Sequence, residues 1–205
     1  MKVLLINGSP HPKGCIGTAF QIMVEEFALA GVETEIINVG NEAVRGCIAC
    51  GSCRKTGKCV FDDLVNETAP KFEAADGLVV GSPVYYGQPN GNVISFVQRL
   101  LYSTSFSKAM KVGASVVSCR RGGNSASFEQ INQFFGISGM PIAPSTYWND
   151  VHGSSGDDVY ADEEGVQTMR NLARTMTFLM RAIAAEKERS GLPEFARGSR
   201  TNFIR

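Results

Sequence analysis

The chain has 205 residues, enough for one domain with a sizeable core. Lysine plus arginine and aspartate plus glutamate both number 20, so the net charge is zero, and nothing supplies the basic face that nucleic-acid binding needs. The apolar run at the N-terminus stops at Asn7, too short for a signal peptide, and no apolar run reaches the ~18–20 residues of a membrane span. The composition reads as a soluble cytoplasmic protein, with no membrane and no nucleic-acid partner. In that compartment clustered cysteines point to metal or redox chemistry rather than a disulfide framework.

Along the chain, short apolar runs alternate with longer amphipathic ones. VLLI (3–6) is continuous, as in a strand buried on both faces. A Gly/Pro-rich loop follows, then Phe20, Met23, Val24, Phe27 and Ala30 recur at helical spacing until Gly31 ends the helix. The pattern predicts strands at 33–39, 77–82 and 112–118, and helices at 63–75, 91–102 and 125–136. PIAPSTYW (141–148) is a weaker fifth strand, demoted by its two prolines. Met169, Leu172, Met176, Leu179 and Ile183 mark the last helix, and from Ser190 the chain reads as an extended tail. One domain (1–189) and a C-terminal tail (190–205) are expected. This alternation predicts an α/β, flavodoxin-like fold: a five-stranded parallel sheet of order 2-1-3-4-5 with helices on both faces. A Rossmann half with another strand order has the same spacing.

No G-x-G, P-loop, G-x-S-x-G elbow or H-E-x-x-H occurs, which removes the dinucleotide fingerprint and the common hydrolase and metalloprotease motifs. His11 and His152 lie far apart and read as solvated loop residues. In an open α/β sheet, ligands bind at the carboxyl ends of the strands near the switch point. Three loops of unusual composition fall there. In NGSPHPKGCIGTA (7–19), Ser9 and Thr18 bring hydroxyls, Lys13 and His11 bring positive charge, and a helix start favours an anion. A plain loop with Thr18 as the helix cap has the same composition. In GSPVYYGQPNG (81–91), Tyr85 and Tyr86 offer faces to a flat ring, or one packs in the core and one on the surface. In SCRRGGNS (118–125), Gly122 and Gly123 permit close approach, and Arg120 or Arg121 offers charge to a reduced ring or a phosphate.

Taken together, the loops read as a site for a flat, phosphate-bearing cofactor such as FMN. INGSP opening strand–loop–helix, GSPVYYG after the third strand and a cysteine loop after the second resemble the flavodoxin-like NADPH-dependent FMN reductase family, specifically its iron–sulfur flavoprotein branch. The resemblance runs from Met1 to about Ile183, and the terminal TNFIR is similar too. The family's first loop usually reads GSPR with G-N-T close behind; here His11 stands in place of that arginine and the loop is longer. The resemblance implies bound FMN, with Ser9, Lys13, Thr18 and Ala19 at the phosphate and His11 at the rim. It implies Pro83, Val84, Tyr85, Tyr86 and Gly87 along the isoalloxazine, with Arg120, Gly122 and Gly123 closing the other side. It further implies an oxidoreductase fed by NAD(P)H or a ferredoxin-type donor, with a quinone, a free flavin or another small acceptor. No protein residue is needed as a general acid or base. A flavodoxin-type electron carrier is the alternative, but such carriers are strongly acidic and this chain is neutral. A homodimer or homotetramer is expected, with 147–160, including Trp148, and the tail as contact segments. Trp148 reads equally well as a core residue.

GCIACGSCRKTGKC (46–59) carries four of the six cysteines. Cys47, Cys50, Cys53 and Cys59 follow C-x2-C-x2-C-x5-C. Two consecutive C-x2-C steps wrap one centre and a fourth thiolate completes it. Structural zinc usually takes two separated pairs, so the run favours a 4Fe–4S cluster, with zinc and free or redox-active thiols as alternatives. A ferredoxin run has three residues before its fourth cysteine and a proline after it; here there are five, and Val60 follows. The spacing instead resembles the compact motif of iron–sulfur flavoproteins. Cys15 and Cys119 stand alone in other loops.

Overall fold

In the computed structural model, which describes residues 1–195, Val3, Leu4, Leu5 and Ile6 are all fully buried. They belong to β1 (Lys2–Asn7), an interior strand with helices over both faces, so both sets of alternating side chains leave water. Each contributes about 1.5–3 kcal/mol by that burial. β2 (Glu33–Asn38) pairs with β1 in parallel from Lys2 opposite Glu33 to Asn7 opposite Asn38. β3 (Gly77–Tyr85) lies on the other side of β1, with Val3 opposite Gly77. β5 (Val112–Cys119) pairs in parallel with β3, and β6 (Asp150–His152) with β5. A two-residue strand, β4 (Gln88–Pro89), pairs antiparallel with the end of β3. The order is β2-β1-β3-β5-β6 with β4 off that path. Without β4 this is the 2-1-3-4-5 order of the flavodoxin-like fold.

Helices α1 (Cys15–Leu29) and α6 (Glu163–Ser190) cover one face, where Phe20, Met23, Phe27, Leu172 and Met176 pack on Val3, Leu5, Val79 and Val116. Helices α3 (Leu64–Ala74), α4 (Gly91–Ser103) and α5 (Asn124–Ile137) cover the other, where Val65, Phe72, Phe96, Leu100 and Phe135 pack on Leu4, Ile6, Leu78 and Val80. One short helix, α2 (Cys53–Thr56), lies in the cysteine loop. Among the described residues no helix is long and apolar enough to cross a membrane.

Several boundaries differ from the sequence pattern; β3 runs three residues past the expected 82, to Tyr85. The fifth strand is not 141–148 but Asp150–His152. The segment around Ile142 touches β5 through one bridge at Gly113, then leaves the sheet and returns at Asn149, whose carbonyl accepts from Val117 N–H. Pro141 and Pro144 flank that bridge, and neither has an N–H to give a ladder. Helix α1 begins at Cys15, so Thr18 lies within its first turns and the cap position is Gly14. Helix α6 takes in Ser190, the first residue of the expected tail; TNFIR lies outside the described residues.

Candidate functional site

The first loop is held by asparagines. Asn7, buried at the end of β1, accepts from Ser9 N–H at 3.0 Å and donates to Asn38 of β2 at 3.0 Å. Asn41 donates to the Pro10 carbonyl at 2.7 Å. Ser9 Oγ accepts from His11 N–H at 3.1 Å, and the His11 carbonyl accepts from Gly14 N–H at 2.8 Å. The loop therefore turns tightly into α1. Gly17 is required for this: a Cβ there would stand 1.9 Å from the Pro12 carbonyl oxygen. Helix α1 carries no side-chain cap and no acidic residue in its first turn. By helical geometry the N–H groups of Cys15, Ile16 and Gly17 have no acceptor within the helix. This end attracts an anion, and Lys13 and His11 are exposed beside it.

Pro12, Lys13, Gly17 and Thr18 line a groove beside it with Asn38 and Tyr160. The backbone at Gly156 lies over Thr18, since a Cβ on Gly156 would sit 2.6 Å from Thr18 Oγ1. Ala19 is fully buried in the α1–α6 layer, so its side chain forms no part of this surface.

The second loop is a hairpin. β3 runs on to Tyr85, opposite Gln88, and the two residues between, Tyr86 and Gly87, have φ of 52° and 74°. Two consecutive left-handed residues form the turn whose twist suits a two-residue hairpin. Tyr85 is 45% exposed and Tyr86 fully exposed, so neither packs in the core. Asn90, buried at the foot of the hairpin, caps α4 and donates to the Gly8 carbonyl at 2.8 Å, joining this loop to the first. The third loop meets the hairpin at Gly123, whose φ is 88°. A Cβ there would sit 2.9 Å from both Gly87 Cα and Val84 Cγ1. Arg120 and Gly122 are exposed beside this contact, and Pro83 and Val84 are half-buried. The structure thus brings the three loops into contact with one another at the carboxyl ends of β1, β3 and β5.

Past the third loop lies a polar cleft lined by Asn124, Trp148, Asp150, His152 and Asp162. Asn124 hydrogen-bonds Asp150, and Asp162 Oδ2 accepts from His152 N–H at 2.8 Å. Burial, with Asp150 nearby, pushes the Cys119 thiol up in pKa. Trp148 is half-exposed, its ring 5.9 Å from that of Phe128, so it is not a core residue.

The cysteine loop is built differently. Ala49, Gly51 and Gly57 all have left-handed φ, which coils the chain. Cys47, Cys50, Cys53 and Cys59 border a single hollow with Phe61, Arg99 and Tyr102. Three of these sulfurs already accept N–H groups. Ala49 N–H points to Cys47 Sγ at 3.4 Å. Ser52 N–H and hydroxyl hold the Cys50 thiol below its usual pKa. Arg99 Nε and Nη2 reach Cys59 Sγ at 3.3 and 3.1 Å. Among the described residues no three Cys, His, Asp or Glu side chains converge closely enough to hold one metal ion. A single zinc needs every sulfur about 2.3 Å from one point. Four cysteine thiols bordering one hollow are a donor set that fits a 4Fe–4S cluster.

Arg99 and its partner Asp63 were not evident as site residues in the sequence; the one signal was an arginine falling on the buried stripe of α4 with Phe96, Leu100 and Ser103.

The model of the NADPH-dependent FMN reductase family matches residues 1–154. A protein named iron–sulfur flavoprotein from Methanocaldococcus jannaschii is 31% identical over 191 residues, covering 89% of this chain and 99% of its own length. Another of that name from Methanosarcina thermophila is 32% identical over 197 residues, covering 92% and 100%. Among solved structures, RosB with bound 8-demethyl-8-formylriboflavin-5'-phosphate superposes with a TM-score of 0.71 at 15% identity, over 100% of this chain and 94% of that one, a likeness of fold alone. With its strand order and its cysteine loop after β2, the chain belongs to the NADPH-dependent FMN reductase family, in the iron–sulfur flavoprotein branch.

Proposed function

We propose that the protein is an FMN-dependent oxidoreductase that also carries a 4Fe–4S cluster. It takes electrons from NAD(P)H or a ferredoxin-type donor and passes them to a quinone, a free flavin or another small acceptor. The observation that carries this reading is the meeting of three loops at the sheet's carboxyl edge, locked by Asn90 on Gly8 and by Gly123 on Gly87. The FMN phosphate would lie at the uncapped start of α1, held by the N–H groups of Cys15–Gly17, the Thr18 hydroxyl and Lys13, with His11 at the rim. Ser9 Oγ accepts from His11 and keeps its own proton to donate. Residues 83–87 would border the isoalloxazine on one side, and Arg120, Gly122 and Gly123 on the other. Arg120 would stabilise negative charge there, and the hairpin would keep water from one face. When bound, the flavin supplies the electron-transfer chemistry, and the protein orients it and sets its field. Cys47, Cys50, Cys53 and Cys59 would hold the cluster.

We place the protein in the cytoplasm as a homodimer or homotetramer, with 147–160 in the contact. Exposed Tyr147, Trp148 and Tyr160 support that surface. Light scattering tests the assembly, and a monomer mass at micromolar concentration would count against it. For the activity, anaerobically purified protein is expected to be yellow, to release FMN on denaturation, to contain about four iron and four sulfide per chain, and to oxidise NADPH with menadione as acceptor. Protein with no flavin after incubation with FMN would overturn the reading. A flavin-only spectrum without iron would leave a plain FMN reductase.

A further inference from the structure

Arg99 is 1% exposed, yet it carries a charge that burial would otherwise disfavour. All five of its N–H groups have acceptors. One edge, Nε and Nη2, points at Cys59 Sγ at 3.3 and 3.1 Å. The other, Nη1 and Nη2, grips both Asp63 oxygens at 2.7 and 3.0 Å. Nη1 also reaches the Arg45 carbonyl at 3.4 Å, and the Phe61 ring lies 5.0 Å from the guanidinium carbon. Ion pairing with Asp63 alone would occupy one edge. The second edge is spent on a single sulfur, and a neutral thiol is a weak acceptor for two cationic N–H groups. A sulfur bearing negative charge suits them.

Resting on the cluster reading above, we infer that Arg99 is a positioning residue for Cys59: it fixes this sulfur and draws negative charge toward it, raising the reduction potential of the cluster at that ligand. Hydrogen bonds to ligand sulfurs and nearby charge both set such potentials. The guanidinium is itself buried, so salt screens its charge less than that of a surface arginine. The arrangement is asymmetric. The N–H at Cys47 comes from exposed Ala49 within the loop, whereas Cys59 is held by a buried cation from a different element. Asp63 opposes the effect, because its carboxylate draws on the same guanidinium.

That opposition supplies the test. The midpoint potential of the cluster is measured by EPR-monitored titration of anaerobic holoprotein, after iron and sulfide assay. Arg99→Gln is expected to disfavour reduction about tenfold, or ~59 mV for a one-electron couple. Arg99→Lys, which keeps the charge and loses the two-pronged contact, shifts the same way by less. Asp63→Asn shifts the opposite way. A residue serving only to fold the loop would not give opposite signs at Arg99 and Asp63. Should Arg99→Gln fail to assemble a cluster, the signs at Arg99→Lys and Asp63→Asn decide. Shifts of one sign, or potentials unmoved in these variants, overturn the inference while the wild-type cluster stands. Wild-type protein without iron and sulfide removes the cluster reading and this inference with it.

Discussion

The meeting point of the three loops and the cysteine loop sit at the same end of the sheet and are held by different means. The three-loop region is set by close backbone approach, Gly17 on the Pro12 carbonyl and Gly123 on Gly87, and by the Asn90 side chain donating to the Gly8 carbonyl. These contacts exist because three strands end together, so the shape belongs to the fold. The cysteine loop has one short helix, and it is tied to the body by the ion network of Arg99, Asp63 and Cys59 and by Asn66 of α3, whose side chain accepts from Cys59 N–H and donates to the Cys59 and Phe61 carbonyls. The three-loop region is fixed largely by the backbone, whereas the cysteine loop depends on side chains reaching it from α3 and α4.

Substitutions can break or sharpen that contrast. The largest effect is expected at Asp63→Ala, which strips Arg99 of its carboxylate and removes the N-cap of α3, an oxygen that accepts from Val65 N–H. Removing one partner of a buried ion pair costs ~3–5 kcal/mol, and part exposure of Asp63 places the value at the lower end. Denaturant unfolding reads it, and a loss below about 1 kcal/mol would show the network to be marginal. Next, Gly17→Ala drives a methyl into the Pro12 carbonyl and should cost about 1–3 kcal/mol or more. Gly46→Ala, where nothing lies within 4 Å, should stay within ~0.5 kcal/mol. Equal losses at the two would remove the distinction between a packed three-loop region and an open cysteine loop. Thr18→Val should weaken FMN by about 1–3 kcal/mol, since a phosphate oxygen loses its donor. Titration of apoprotein with FMN measures this, and unchanged affinity would take Thr18 out of the site. One effect has the opposite sign: Ala49→Gly relieves a left-handed alanine in the cysteine loop and should stabilise by up to ~1 kcal/mol, read as a rise in melting temperature.

Much of the fold was legible because it rests on long apolar periodicities. VLLI, the stripe of α1 and the stripe of α6 each give one reading. The fifth strand was not legible, because three residues paired to β5 carry little pattern and the prolines before them draw attention to the wrong segment. The hairpin was hidden by Tyr86, whose left-handed backbone no tyrosine propensity announces. Gly14 and Gly17 looked like loop, yet Gly17 lies inside α1 because the helix must pass close to Pro12. The three loops singled out by composition do touch at the sheet edge, and the four cysteines singled out by spacing do border one hollow. Arg99 and Asp63 are 36 residues apart and meet only through the packing of α3 and α4, so no local motif records them.

Both margins of the sheet resist further strand addition. At one, β6 has three residues and the chain before it leaves the sheet between Pro144 and Trp148, so few free backbone groups line up for a neighbour. At the other, β2 carries Glu35 in ion pairs with Lys2 and Lys71 at 2.6 and 2.7 Å, and a second acidic side chain at Glu33. An incoming strand would have to pass those charges. Copies of this chain are therefore steered away from fibre-like stacking, and any assembly must be built from side chains and loops rather than by continuing the sheet.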